Sequence, residues 1–583
     1  MTSSRQALLF LALSASLVAC PSPEGGEPDA GPVDAGDACL ARCTSMEDCP
    51  EVDDARCVFG CEDATVRACL LDATGCGVGA ECLVDVRLPP VRPFQAGPYS
   101  NDYLGLAGPS VLPTLRGEWD LEKEWTGADH HLFSLYAAGV AYTEQVWASD
   151  VAAFLAATPR NVHLYFLAYV DRDQVDRSFD HVSAQRNRVE VALAGLPTEE
   201  ALYWRARIHY VTRAANNLGG WLGPTIRTHG PAALAIDARQ RFRQVGLLAP
   251  VQGPAQLRFL ANEARYYEWE EQLAAGLPPA DLEIVFADEV ETTGEHRATV
   301  TLPDAATMRS FDALDLDLVL ACPGHDDNNC GEWDYLAHVQ LCETADGACP
   351  TQLGRFITPY HREGRWVVDA TWALALLGDG GEKHLRFTAP VQPNGTSYLI
   401  SVTLRLRDTG SATRPASLLP LFTGGTFDEN YVANHPPISH ELATLPPRAE
   451  LVMLLTGHGF GDDLANCAEF CNHTHDFGVN GGGEFHVDHP WVGDPEGCMK
   501  QVEVGVVPNQ YGTWPLGRGG WCPGLEVAPH VFDVTSRLQV GANVFSYDAG
   551  LDGQPYVPQP APDPTNFPGR IDLQSFLVLY ETK

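Results

Sequence analysis

Two short stretches bounded by cysteines each present a carboxylate. The first is CPGHDDNNCGEWDY, Cys322 to Tyr335, in which Asp334 follows the second cysteine of a small acidic loop. The second is CAEFC, Cys467 to Cys471, in which Glu469 sits between the two cysteines. Two acids carried on short loops are the raw material of acid/base catalysis. Either stretch alone reads as a turn or strand-end acid. Their conjunction points to chemistry, and raises the question of what holds them.

The totals bound the answer. Lys and Arg number 38 against 76 Asp and Glu, a formal charge of −38. Such a field repels phosphate backbones and anionic lipid heads, which argues against a nucleic-acid partner; the same acidity also keeps an exported protein soluble. At 583 residues the chain is too long for one core and divides into several domains. Arg5 precedes the apolar run ALLFLALSASLVA, and the segment ends in LVAC at Leu17 to Cys20. That run is too short to span a bilayer, and Cys20 offers a thiol for a diacylglycerol, so residues 1–19 read as a lipoprotein signal. The expectation is a bacterial membrane-anchored lipoprotein, periplasmic or at the cell surface, with residues 20–38 as a flexible acidic tether.

Setting Cys20 aside, the 17 cysteines leave two even sets of eight. The first is Cys39, Cys43, Cys49, Cys57, Cys61, Cys69, Cys76 and Cys82. The second is Cys322, Cys330, Cys342, Cys349, Cys467, Cys471, Cys498 and Cys522. Even parity in an exported chain implies disulfides. Zinc is the rival for the first set, but no paired CxxC knuckle and no histidine lie there.

The elements that must position the acids follow from pattern. Residues 39–86 form a disulfide-rich segment, and RLPPVRPFQAGP is a linker because its prolines break helix and strand. Residues 97–260 alternate between TEQVWASDVAAFLAAT at helical spacing, the apolar run NVHLYFLAYVD, and strand, turn, strand in PAALAIDARQRFRQVGLL. That is an α/β domain, thioredoxin-like in its order but without redox cysteines. It holds no recognisable nucleophile or acid pair, so it is expected to recruit or restrict substrate and to be separable from the chemistry. The helix LRFLANEARYYEWEEQLAAG carries an EWEE cluster that reads as a solvated face. From residue 283 onward short alternating strands between Gly/Pro/Asp turns indicate sandwiches. About 300 residues is too much for one of them. The reading is two packed sandwiches, 283–410 and 415–583, and a mainly β protein.

With GRFITPY, Gly354 to Tyr360, and GRGGWCPG, Gly517 to Gly524, the two cysteine-bounded stretches resemble the peptide-N-glycosidase F family, bacterial amidases with two side-by-side jelly rolls. The resemblance covers about residues 283–583. It places the family's principal catalytic aspartate on Asp334, a catalytic glutamate on Glu469 and an active-site arginine on Arg518. It implies the disulfides Cys322 to Cys330, Cys467 to Cys471 and Cys498 to Cys522, with Cys342 and Cys349 left to each other by parity. GRFITPY reads as strand and core. The implied reaction is hydrolysis of the amide between an Asn side chain and the first N-acetylglucosamine of an N-linked glycan. Asp334 would act as central acid/base, Glu469 would hold water and stabilise the intermediate, and Arg518 would fix Glu469 or the carbonyl. No cofactor is called for, the partner is a glycopeptide or glycoprotein, and the chain is expected to be a monomer.

Departures from the family fall around the sugar. Tyr335 stands where the best-known member has arginine, His458 replaces the Trp of a GWGH stretch and Phe460 its His. LRFTAPVQ holds no acid near Ala389 and Pro390, where a third carboxylate is expected. Among the aromatics, Trp333, Tyr335, Phe470, Trp514 and Trp521 are candidates to stack on sugar; Trp333, Tyr335 and Trp521, with His458, are taken as substrate-binding. A rival reading uses metal: His473 and His475 lie at i and i+2, with His458, His486 and His489 near in sequence, and paired jelly rolls also occur in copper monooxygenases. The family counterpart of His473 is an arginine and the acid pair would go unexplained, so no metal is assigned. A third reading is a surface glycan-binding lipoprotein without catalysis.

Cys20→Ser is expected to move the protein from the membrane pellet to the soluble fraction, because a multiply acylated cysteine anchors firmly. Fractionation of both forms checks this, and a variant that stays with the membrane contradicts it.

Overall fold

The computed structural model describes residues 91–230, 232–459, 467–556 and 568–583, together with the short strands Ala41–Arg42, Arg56–Val58, Ala68–Cys69 and Glu81–Leu83. The signal, Cys20, the tether, the disulfide pairing of residues 39–86 and Phe460 lie outside the described residues. Pro90–Gly195 with Arg207–Lys583 form the second of two compact units. The second unit carries both candidate acids.

Its first layer is a five-stranded sheet built from β1 (His130–Tyr136), β2 (Val162–Ala168), β3 (Ile208–Tyr210), β4 (Ala233–Ile236) and β5 (Phe242–Gln244), in the order β5-β4-β1-β2-β3. β1, β2 and β3 run parallel, while β4 and β5 are antiparallel. One face buries Phe133, Leu135, Tyr165 and Leu167 with Leu222 and Ile226. The helical stretch between β1 and β2 is two helices, α1 (Ala141–Ala148) and α2 (Val151–Ala157). The break has a local cause: the Asp150 carboxylate caps α2 by accepting from Ala152 N at 2.8 Å and Ala153 N at 3.2 Å.

The layer is completed by α3 (Leu260–Gly276), whose EWEE cluster is not a solvated face. Glu270 accepts from buried Arg243 at 2.6 Å, Glu271 from Arg92 at 2.5 Å and from Arg239, and Glu268 lies 3.4 Å from His130. The acids look solvated in sequence because their cationic partners are distant in the chain.

Two sandwiches follow. The first contains β6 (Leu282–Thr292), β7 (Glu295–Asp304), β8 (Ala313–Ala321), β9 (Leu336–Cys342), β10 (Thr351–Ile357), β11 (Gly364–Asp369), β12 (Gly380–Thr388) and β13 (Tyr398–Arg407). The second contains β14 (Thr413–Thr426), β15 (Ile438–Leu442), β16 (Ala449–His458), β17 (His473–Val479), β18 (Gly482–Val487), β19 (His530–Asp533), β20 (Gly541–Leu551), β21 (Gln554–Pro555) and β22 (Arg570–Thr582). The sheets are β6-β13-β8-β11 over β7-β12-β9-β10, and β14-β22-β16-β19 over β15-β20-β17-β18. In both, first strand pairs with last; the second pairs with the one before last in the first roll and with β20 in the second, where the short β21 pairs back onto β20. These are two jelly rolls.

The burial of their strands tells which faces are covered. In β13, YLISVTLRLR, only alternate residues Tyr398, Ile400, Val402, Leu404 and Leu406 are buried. In β16 nearly every residue is buried. Its Leu451, Met453 and Leu455 enter the core of the second roll, while its other face is turned to the first roll. There Trp372 stacks on Phe576 at 5.2 Å, and buried Arg355 of β10 donates to Thr456 Oγ1, Asp572 O and Asp572 Oδ1 at 2.8 to 2.9 Å. A strand covered on both sides loses the period-two pattern.

The α/β layer does not stand apart from the rolls. Glu263 of α3, fully buried, accepts from Gly246 N, Arg362 Nη1 and Asn509 Nδ2 at 2.9 to 3.0 Å. Arg362 also donates to Asp327 at 2.8 Å, inside the loop closed by Cys322 and Cys330. The same helix therefore braces loops that lead to Asp334 and Arg518, so buried polar contacts interlock the α/β layer with the rolls. Glu263→Ala strands Arg362 in the interior with one of its two carboxylate partners lost. It is expected to cost about 3–5 kcal/mol of stability; an unchanged denaturation midpoint would contradict the bracing role.

Candidate active site

Asp334 lies between two residues whose backbones are fastened. Trp333 N donates to Gln392 Oε1 at 3.1 Å, Trp333 O accepts from Thr358 Oγ1 at 2.7 Å, and Tyr335 N donates to the same Thr358 oxygen at 2.8 Å. Thr358 N returns a bond to Tyr335 O at 2.9 Å. Thr358 belongs to GRFITPY, so this stretch is the clamp on the acid. Gly331 approaches Gln392 so closely that a Cβ there would lie 2.4 Å from its side chain. The disulfide Cys322–Cys330 closes the preceding loop.

Glu469 is positioned from the second roll. Cys467–Cys471 closes its loop, Glu469 N donates to Gly459 O at 3.1 Å, and Glu469 O accepts from Gly519 N at 2.7 Å. That last bond joins the glutamate loop directly to the residue after Arg518. Cys498–Cys522 anchors the other side of the arginine loop, while Cys342–Cys349 closes the turn between β9 and β10.

The two acids meet on one cation. Arg518 Nη2 lies 3.1 Å from Asp334 Oδ2, and Nη1 donates to Glu469 Oε1. Nη2 also donates to Thr513 Oγ1 at 2.8 Å. The guanidinium carbon stands 4.5 Å from the ring of Trp521 and 4.9 Å from that of Phe470, so aromatic faces fix its plane. Arg518 is itself buried, with 1% of its side chain exposed against 12% for Asp334 and 14% for Glu469. The cation is thus a fixture and the carboxylates are the accessible parts.

Burial raises the Asp334 carboxyl above its usual range, although Arg518 and a hydrogen bond from Tyr360 pull it down. Burial likewise raises Glu469, opposed by Arg518 and assisted by the Asp334 charge. Two acids near one cation cannot both be fully satisfied as anions, which suits one of them to carry a proton.

Tyr360 reads as core in the sequence, and the structure puts it at the site. It is buried, its hydroxyl lies 3.3 Å from Thr513 Oγ1, and its own pKa is pushed upward by burial and by the Asp334 carboxylate. Its backbone is held by Gln510, whose Oε1 accepts from Tyr360 N at 2.9 Å. The available signal is the Pro359-Tyr360 step that ends a strand.

Of the proposed sugar-contacting residues, Trp333 is 48% exposed and free to receive a ligand face. Trp521 is buried at 6%, with Nε1 donating to Gly457 O at 2.7 Å, and serves as the floor beneath Arg518. Trp514 is buried too. Tyr335 is half-buried. His458 is 2.9 Å from Thr456 Oγ1 by Nε2, and burial lowers its pKa to about 3, so it is a neutral imidazole.

His458 lines a cleft of about 380 Å³ with Leu336, His338, Thr388, Ala389, Pro390, Arg570 and Asp572. Ala389 and Pro390 mark the place where an acid is expected and is missing. Asp572 reaches the same cleft from β22. Burial tends to raise its pKa, but Arg355 prevails and holds it below the usual range, so it is an anion.

Comparison with known proteins finds relatives of the C-terminal half. Residues 428–578 match the family model described as Peptide-N-glycosidase F, C terminal. The peptide-N(4)-(N-acetyl-beta-D-glucosaminyl)asparagine amidase F of Elizabethkingia miricola is 25% identical over 301 residues, spanning 45% of this chain and 73% of the relative. Among solved structures, a crystal structure of a peptide-N(4)-(N-acetyl-beta-D-glucosaminyl)asparagine amidase superposes with a TM-score of 0.42 at 21% identity, over 52% of this chain and 96% of the other. A structure of PNGF-II gives 0.38 at 16% identity, over 52% and 66%. The likeness to these proteins falls in the C-terminal half of the chain, where the family model matches residues 428–578.

The raised carboxyl values carry a sign for stability. A group whose folded pKa lies above its unfolded one favours folding when protonated, and that contribution is lost as pH rises from the unfolded value of about 4 through the folded value. Asp334→Asn removes the titration. Its melting temperature relative to wild type is therefore expected to climb between about pH 4 and about pH 7, as thermal unfolding at the two pH values would register; a difference that falls with pH contradicts the assignment.

Proposed function

We propose that the protein is a peptide-N-glycosidase, hydrolysing the amide between an Asn side chain and the first N-acetylglucosamine of an N-linked glycan. The observation that carries the reading is the sharing of one fully buried guanidinium by two mostly buried carboxylates, Asp334 and Glu469, that keep some exposure to solvent. In the reaction a water oxygen bonds to the amide carbonyl carbon and the C–N bond breaks. The departing nitrogen takes up a proton, leaving Asp on the peptide and a glycosylamine. An amide resists this unless water is activated, the carbonyl polarised and the nitrogen protonated. Asp334 serves as the central acid/base, with Tyr360 fixing its orientation. Glu469 orders the water, and Arg518 stabilises the oxyanion side of the intermediate while keeping both carboxyls in register.

The cleft lined by His458 and Asp572 suits a sugar. Trp333 offers an exposed aromatic face for the apolar C–H surface of a pyranose, and Asp572 offers an anionic acceptor for its hydroxyls. Asp572 would thus fill from the second roll the role left vacant at Ala389 and Pro390. The substrate class is a glycopeptide or glycoprotein, the working unit a monomer, and the enzyme is held at the membrane through Cys20.

Incubation of a denatured glycopeptide with the purified protein is expected to release free glycan and leave a peptide about one dalton heavier than its Asn form, as NH2 is exchanged for OH. Asp334→Asn and Glu469→Gln are each expected to lower the rate by about 10²–10⁴-fold while melting as a folded protein. Retention of intact glycopeptide without release would identify a lectin instead.

A further inference from the structure

Of the five histidines grouped in sequence around the second acid, three converge in space. His458 belongs to the cleft, and His486 is bonded to Asp476 at 2.7 Å. His473 and His475, two residues apart on β17, face inward together, and His489 comes from the segment after β18. Their rings are packed with centroids 4.3 Å apart for His473 and His489 and 4.8 Å for His473 and His475. All three are buried, and one ring nitrogen from each lies within 4.8 Å of the others.

We propose that His473, His475 and His489 form a structural site for one divalent transition metal ion of borderline softness, with zinc as the natural occupant. A set of three neutral imidazoles suits such an ion, and the outer groups are arranged as orienting partners for ligands. His475 has Nδ1 at 2.8 Å from Tyr547 OH, which in turn is 2.9 Å from Tyr431 OH, so its Nε2 is aimed at Nδ1 of His473 at 2.6 Å. His489 is held by its backbone N–H donating to Asn472 Oδ1 at 2.8 Å. Hydrogen bonding within the group explains only part of it. Nε2 of His489 is buried without a hydrogen-bond partner, which a cation at the cluster would relieve, while Nε2 of His473 is turned to the backbone of Gly457 and Gly519.

The position gives the ion a purpose. A Cβ on Gly519 would lie 2.4 Å from both His473 Nε2 and Ala468 O. His473 therefore packs on the backbone beside Glu469 on one loop and beside Arg518 on the other. An ion locking His473 to the other two would stiffen both loops from below. The site stands or falls independently of amide hydrolysis.

The full-length protein, stripped with chelator and dialysed against zinc, is expected to retain about one zinc per chain by elemental analysis. His489→Gln is expected to retain none and to lose the rise in melting temperature that zinc gives the wild type. No zinc on the wild type, or equal zinc on both, overturns the proposal. Cobalt loaded into the wild type decides the matter even if the variant fails to fold. Intense visible bands of a four-coordinate, nitrogen-ligated ion support the site, and the weak spectrum of hydrated cobalt refutes it.

Discussion

One guanidinium organises this molecule's candidate chemistry. Arg518 is buried between the rings of Trp521 and Phe470 and cannot follow the solvent. It must be balanced, because an unpaired interior cation is costly, and the balance comes from two carboxylates on separate jelly rolls. The demand runs both ways. Burial raises both the Asp334 and Glu469 carboxyls above their usual range, and the shared cation, which opposes that rise, keeps them in one constellation. Correct placement of Arg518 thus requires correct docking of the rolls.

The docking is itself polar where it nears the cleft. Arg355 leaves the first roll to bond Thr456 and Asp572 of the second, fixing the strand that presents Asp572. On the opposite flank Arg362, Glu263 and Asp327 tie the α/β layer to the loop preceding Asp334. The disulfides act at shorter range. A loop of three residues between Cys467 and Cys471 removes little unfolded-state entropy, so its effect is chiefly to limit where Glu469 can go.

Local pattern makes part of this legible. Alternation in YLISVTLRLR marks a half-covered strand, and the strand-rich texture after residue 283 marks the mainly β class. The pairing of first strand with last in each roll is non-local, and only motif resemblance suggests it. Pattern fails where partners are remote: the EWEE acids find Arg92, Arg239, Arg243 and His130 across the chain. At the site, Asp334, Glu469 and Arg518 are picked out by motif, and the structure brings them together. Tyr360 and Asp572 escape a reading of pattern because GRFITPY and IDLQSFLVLYE look like ordinary strands; a side chain's role there depends on what the facing roll presents.

The claim that matters most is that water attacks the Asn amide carbonyl at this constellation. It is tested by running glycopeptide turnover in water enriched in the heavy oxygen isotope and reading the peptide by mass spectrometry. The account predicts a new Asp side chain carrying one heavy oxygen, formed by the wild type and not by Asp334→Asn. A deglycosylated peptide that still holds an unlabelled Asn would mean that the sugar–nitrogen bond had broken instead, and would contradict it.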